Sequence, residues 1–247
     1  MPSDLASDRH GSVQAVRIGA LESGIRRSPQ IMCSMRFNVE KNLRAVERSV
    51  ASLERDGRTA HAVMLVRSYA TTHADLWDAV TSAQRIPNWF LPITGNLELG
   101  GSYQLEGNAG GRITACSPPS SYAITWEFGG FVTWVDVQVA AEGIDRARLT
   151  ITHTAHHSEH WDDFGPGATG VGFEMGLLGL HMHLTDPEQP RPDPLEFAIS
   201  ADGKALLTGS GHAWGEAAIT AGTDPEHARA SAARTVAFYT GEEIEAG

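Results

Sequence analysis

The sequence predicts an α+β fold: an antiparallel meander followed by one long helix, with further helices at both ends. Three observations predict it. From about residue 96 to 155 apolar and polar residues alternate with a period of two. Gly100-Gly101, Gly110-Gly111, Pro118-Pro119 and Gly129-Gly130 punctuate that stretch as turns. A helical stripe, Phe173, Leu177, Leu180 and Leu184, follows at once, and the remainder from about 195 to 241 is also helical in pattern.

Residues 1–34 are rich in Ser, Gly and Arg, show no periodicity, and read as a disordered tail. Val39, Leu43, Val46, Val50 and Leu53 then recur at spacings of four and three, which predicts an N-terminal helix over 35–57. Asn38 caps its start and Asp56-Gly57 stops it. Its narrow apolar stripe suits docking on the domain body, with pairing to a second copy as the alternative. HAVMLVRSYAT reads as a strand. Thr72 with Asp75 forms a capping-box pattern that opens a helix through Trp77 and Val80, and Pro87 breaks it before Trp89-Phe90.

In the meander, Leu97, Leu99, Tyr103 and Leu105 share one face, as do Tyr122, Ile124, Trp126 and Phe128. Val135, Val137 and Val139 continue it, with Leu149, Ile151 and His153 on the last strand. Trp134 falls on the polar face, which predicts that an added helix covers it there. In the long helix, about 168–185, Gly172, Gly176 and Gly179 each cost about 1 kcal/mol relative to alanine. Close approach to the sheet or to a ligand would explain them. After a Pro-rich linker, Trp214 sits in an Ala-rich helix, and Asp224-Pro225 opens a last one that ends at Gly241. The organisation expected is a tail (1–34), an N-terminal helix (35–57), a core (58–185) and a helical extension packed on it (186–247).

Composition narrows the function classes. Of 247 residues 41% are hydrophobic and 20% charged, ordinary globular usage. A formal net charge of −11 argues against nucleic-acid partners and anionic membranes. Cys33 and Cys116 show no motif spacing, the opening residues lack a signal-peptide core, and no stretch reaches membrane-span length. A soluble, cytoplasmic protein is the expectation.

The order strand, two short helices, meander, long helix, together with RSYATTHADLWDAVTSAQRIPNWF and PITGNLELGGSYQLEGNAGG, resembles the START-like or SRPBCC superfamily. More narrowly, it is similar to the branch named after activators of the heat-shock-protein-90 ATPase. The landmarks are Trp77-Asp78-Ala79, Trp89-Phe90, Gly95 with Gly100-Gly101, Pro118-Pro119 before Thr125-Trp126-Glu127, His153, and Gly172-Phe173-Glu174. They span roughly residues 62–185. The resemblance implies a helix-grip fold, a curved antiparallel sheet wrapped around a long helix with a cavity between them. Superfamily members include lipid and hormone binders, aromatic-polyketide cyclases and chaperone regulators.

Candidate ligand-binding residues are Trp89, Phe90, Tyr103, Trp126, Phe128 and Phe173, on inward faces or at the mouth of the expected cavity, with Leu177 on the helix. His153 shares the inward parity of Leu149 and Ile151, and Glu174 and His181 lie two helical turns apart on the flank of the stripe. These three groups would converge on a bound polar head, pair as general acid and base, or satisfy one another as a buried polar cluster. His153, His156, His157 and His160 cluster within eight residues, but their spacing matches no ligand motif. They read as loop histidines; no metal or cofactor is expected, and no catalytic residue is assigned. The partner expected is a small hydrophobic molecule, with a homodimer or a chaperone contact left open.

Overall fold

The computed structural model describes residues 37–190 and 192–242, so the tail expected over 1–34, and Cys33 within it, lie outside the described residues. Asn38 caps the first helix, α1 (Val39–Arg44), by accepting from the Lys41 amide at 2.8 Å. That helix is far shorter than predicted. Val46–Arg55 is a strand, β1, paired antiparallel along its length with β2 (Arg58–Tyr69). This corrects the N-terminal helix expected over 35–57. A spacing of four suits a strand face as well as a helix face, and Val46 and Val50 do turn inward together. Leu53 does not; it faces out and is exposed. Asp56-Gly57 is the two-residue turn of the β1–β2 hairpin, with φ of 51° and 71°. Asp-Gly is well suited to that left-handed pair.

Thr72 caps α2 (His73–Thr81) through the Asp75 amide, and Pro87 sits in the first turn of α3 (Ile86–Trp89). The meander runs β3 (Ile93–Gly95), β4 (Ser102–Leu105), β5 (Gly110–Ser117), β6 (Ser121–Phe128), β7 (Phe131–Gly143) and β8 (Arg146–His156). All pairs are antiparallel, in the order β1-β2-β8-β7-β6-β5-β4-β3, so the last strand returns beside the first hairpin. Leu97 and Leu99 fall in the connection before β4 rather than in a strand, and Leu99 is exposed. Trp134 lies on the outer face as expected, but its ring contacts among the described residues come from strands and not from a helix. The Arg55 guanidinium stacks 3.7 Å from its ring centre and His156 meets its edge.

α4 (Glu159–Phe164) leads into α5 (Gly167–Thr185), which packs on the inner face of the sheet. Val63, Leu65 and Tyr69 of β2, Leu149 of β8, Val135 and Val137 of β7, and Leu177 and Leu180 of α5 form the buried core with Leu76 of α2. The extension adds α6 (Pro194–Ile199), α7 (Ala201–Thr220) and α8 (Pro225–Thr240). Asp224 caps α8 by accepting from the amides of Glu226 and His227, and Gly241 ends it in the left-handed conformation. Trp214 of α7 is fully buried against Gly170 of α5, where an added Cβ would lie 2.2 Å from the indole.

Gly172 and Gly179 are notches for other helices rather than for the sheet. A Cβ at Gly179 would lie 2.3 Å from the Trp89 carbonyl oxygen of α3, and one at Gly172 would lie 3.0 Å from the Tyr239 hydroxyl of α8. At Gly176 the nearest atoms belong to the Phe90 ring at 3.4 Å, an ordinary contact. Among the described residues no helix is long and apolar enough to cross a membrane.

This contrast is testable by thermal or urea unfolding. Gly179→Ala is expected to lose about 1–3 kcal/mol, because backbone must move to admit the methyl group. Gly176→Ala is expected to be neutral or to gain up to about 1 kcal/mol from helix propensity.

Candidate functional site

The sheet–helix interface is asymmetric. Where α5 crosses β2 and β8 it is sealed by aliphatic side chains. Toward β6 the inner face stays half-buried, at Ile124, Trp126 and Phe128, with Thr133 beside them on β7. Strand alternation puts these side chains on one face, as the sequence predicts. Phe173 of α5 meets this face at its centre, its ring centroid 5.6 Å from Trp126 and 5.7 Å from His153.

The remaining predicted aromatics hold the frame. Tyr103 is buried and donates to the Thr125 carbonyl at 2.8 Å, bracing β4 against β6. Trp89 donates from its indole nitrogen to the Ala79 carbonyl at 2.9 Å, fixing α3 to α2, and stacks with Phe90. Phe128 stands at the end of β6, cross-strand from the exposed Phe131. Leu177 is core, and its carbonyl accepts from the Tyr69 hydroxyl.

The three polar candidates do not converge. His153 is buried and exchanges a hydrogen bond with the Thr133 hydroxyl through Nε2 at 2.9 Å. Burial lowers its pKa from 6.5 to about 4, so the ring is neutral at physiological pH. Glu174 turns to another flank of α5. Both its oxygens accept from Arg48 of β1, from Nε at 2.6 Å and from Nη2 at 2.7 Å, in a buried pair. Arg48 also donates to the carbonyls of Leu43 and Val46, clasping the junction between α1 and β1. His181 is half-buried, and burial together with the positive charges of Arg67 and Lys41 lowers its pKa to about 4. An acid–base pair of His153 with Glu174 is therefore absent, since each is committed to a different partner.

The histidine cluster splits along the strand. His156 points outward onto Trp134, and His160 lies against Phe164. His157 bonds His61 of β2 at 3.0 Å and approaches Asp162 at 3.3 Å, while the Trp161 ring stacks flat on His61 at 4.1 Å. These contacts fasten α4 to the sheet rim. Among the described residues no group of three or more His, Cys, Asp and Glu side chains is placed to hold a metal ion.

Sequence reading missed Arg48, Arg67, Asn42 and His61. The signal existed for three of them: Arg48 shares the parity of Val46 and Val50, and His61 and Arg67 share that of Val63 and Leu65. A cation on an inward face requires a partner, and none lies nearby in sequence.

An eight-stranded antiparallel sheet curved against one long helix defines the helix-grip fold of the START-like, or SRPBCC, superfamily. The chain is similar to CalU16 from Micromonospora echinospora, in both its crystal and its solution structure. The solution structure is 27% identical, with a TM-score of 0.60 over 72% of this chain and 97% of that one. The crystal structure is 26% identical, with a TM-score of 0.56 over 70% and 98%. A conserved protein of unknown function from Enterococcus faecalis shares the fold at 13% identity and a TM-score of 0.50, over 74% of this chain and 95% of that one. The likeness to an HSP90 activator from Plasmodium falciparum, with a TM-score of 0.36 and 19% identity over 39% of this chain and 74% of that one, is too slight to bear on partners. No protein-family model matches the sequence, and no curated protein matches it.

Two predictions follow from this geometry. Because folding lowers the His153 pKa from 6.5 to about 4, the unfolded chain binds the proton first as pH falls. Stability is unaffected above pH 6.5 and declines between 6.5 and 4, by up to about 3 kcal/mol from this residue. In urea titrations across that range, His153→Gln is expected to flatten the decline. Arg48→Met leaves Glu174 buried without its partner and is expected to cost about 3–5 kcal/mol. The double variant Arg48→Met/Glu174→Met should recover most of that loss, and a double variant as unstable as the single one would contradict the pairing.

Proposed function

We propose that this protein binds a small hydrophobic or aromatic molecule between β6, β7 and α5. The observation that carries the reading is the half-buried face formed by Trp126, Phe128 and Ile124 beneath Phe173, in an interface sealed elsewhere by aliphatic packing. Apolar walls with one convergent polar group are the usual composition of a small-molecule site. The polar group is the His153–Thr133 pair, where neutral imidazole and hydroxyl offer a donor and an acceptor to one polar atom of the ligand. Phe173 and Trp126, tilted by 55°, present ring faces against which an aromatic ligand stacks. The fold shared with CalU16 supports the reading at the level of architecture alone.

A cyclase- or hydrolase-type enzyme on the same residues has less to rest on. His153 is a weak base at its lowered pKa, and Glu174 is tied to Arg48. A chaperone-regulating role has no supporting feature among the described residues.

The test is a titration of the protein with naphthalene derivatives, polycyclic phenols and medium-chain fatty acids, read by tryptophan fluorescence and calorimetry. At least one class should bind with one-to-one stoichiometry. Trp126→Ala and Phe173→Ala should each weaken it about tenfold or more. Leu99→Ala, at an exposed site in the connection before β4, should leave it unchanged. Affinity should be flat from pH 5.5 to 8, because His153 is neutral throughout that range. Absence of saturable binding by every class, or binding indifferent to Trp126→Ala, would refute the proposal.

A further inference from the structure

A pocket lies on the other flank of α5, lined by Asn42 of α1, Val46 of β1, Arg67 of β2, Glu174 and Leu178 of α5, and Ser210 of α7. Val171, Glu174, Met175 and Leu178 are spaced by three and four, so they share a helix face turned away from Phe173. The pocket is therefore independent of the aromatic site.

Its charges do not balance. Arg67 is 4% exposed and Ser210 2%, and both line the space. Arg67 donates from Nη2 to the Asn42 side-chain oxygen at 3.0 Å. The Asn42 amide nitrogen is committed to the Asn38 carbonyl, so the oxygen is the atom left to face the guanidinium. Nε of Arg67 and the hydroxyl of Ser210 are buried and have no hydrogen-bond partner among the described residues. Glu174 is the one carboxylate among the lining residues, and Arg48 already grips both its oxygens. Among the described residues two guanidinium groups thus share one carboxylate, and Arg67, 5.6 Å from the Tyr69 ring centre, has no carboxylate of its own in a protein whose formal net charge is −11. Arginine does not shed its proton, and a buried cation without a counter-charge is strongly unfavourable. The field is felt nearby, where Arg67 and Lys41 help hold the His181 imidazole neutral.

We propose that this pocket binds one small monovalent anion of halide size, accepting hydrogen bonds from Arg67 Nε and the Ser210 hydroxyl. The enclosed part of the space is about 10 Å³, near the least that holds one water molecule, so phosphate and sulfate are excluded and a halide enters with a small outward shift of the lining side chains. Bound there, the anion neutralises Arg67 and joins β2 to α7.

The test uses the full chain dialysed into sodium gluconate, whose anion is too large to enter. Bromide replaces gluconate at constant ionic strength while the unfolding temperature is followed. Bromide should raise it saturably, as a ligand of the native state does. Ser210→Ala, a small change that preserves the packing, should weaken the apparent bromide affinity about tenfold, and Arg67→Met should abolish the response. Bromide anomalous scattering from a crystal should place a peak between residues 67 and 210. The proposal is overturned if bromide stabilises no more than gluconate, if Ser210→Ala responds like the parent protein, or if the pocket holds only water. Should Arg67→Met fail to fold, Ser210→Ala and the anomalous map decide the matter.

Discussion

The buried ion pair between Arg48 and Glu174 ties together parts of the chain that nothing local would join. Arg48 lies on β1, which among the described residues is an edge strand paired with β2. Glu174 lies in the first half of α5, 126 residues away. Two short hydrogen bonds close the pair, and the remaining guanidinium nitrogen is taken by the carbonyls where α1 becomes β1. A bidentate arginine–carboxylate pair tolerates little rotation, so it sets the position of α5 along the sheet as well as its distance from it. The register of β1 follows from the same constraint. A slip by one residue would carry Arg48 to the solvent face and leave Glu174 buried alone.

With α5 placed, the asymmetry of the interface follows. Helix α5 is hemmed in by α3 at Gly179 and by α7 at Gly170, with Gly172 under the Tyr239 hydroxyl of α8. These close approaches press one side of α5 against the aliphatic faces of β2 and β8. The β6 side receives Phe173, and Trp126 and Phe128 remain half-buried there. The extension after residue 186 belongs to this scheme. Trp214 fills the hollow above Gly170, and α8 braces the end of α4 through the Thr235 hydroxyl and the start of α5 through the Tyr239 hydroxyl. In this chain the helix of the grip is itself gripped from behind.

Burial treats the ionisable groups in three ways. His153 is held neutral by desolvation and served by one hydroxyl. Glu174 keeps a full counter-charge. Arg67 shares a pocket with a neutral amide and an idle hydroxyl. The first suits an apolar site, the second fixes architecture, and the third leaves a field that favours an anion.

Short-range information was legible in the sequence. Alternation placed Tyr103, Trp126 and His153 on the inner face, and the capping residues Asn38, Thr72 and Asp224 marked helix starts, because each signal depends only on residues a few positions apart. The segment 46–55 was misread because a spacing of four is common to helix and strand, and only pairing with β2 separates them. The glycines of α5 announced close contact without naming the neighbour. The partner of Glu174, the separation of His153 from it and the unbalanced charge around Arg67 depend on which surfaces meet across more than a hundred residues. Periodicity reports the face on which a side chain stands; only the packed chain decides what that face meets.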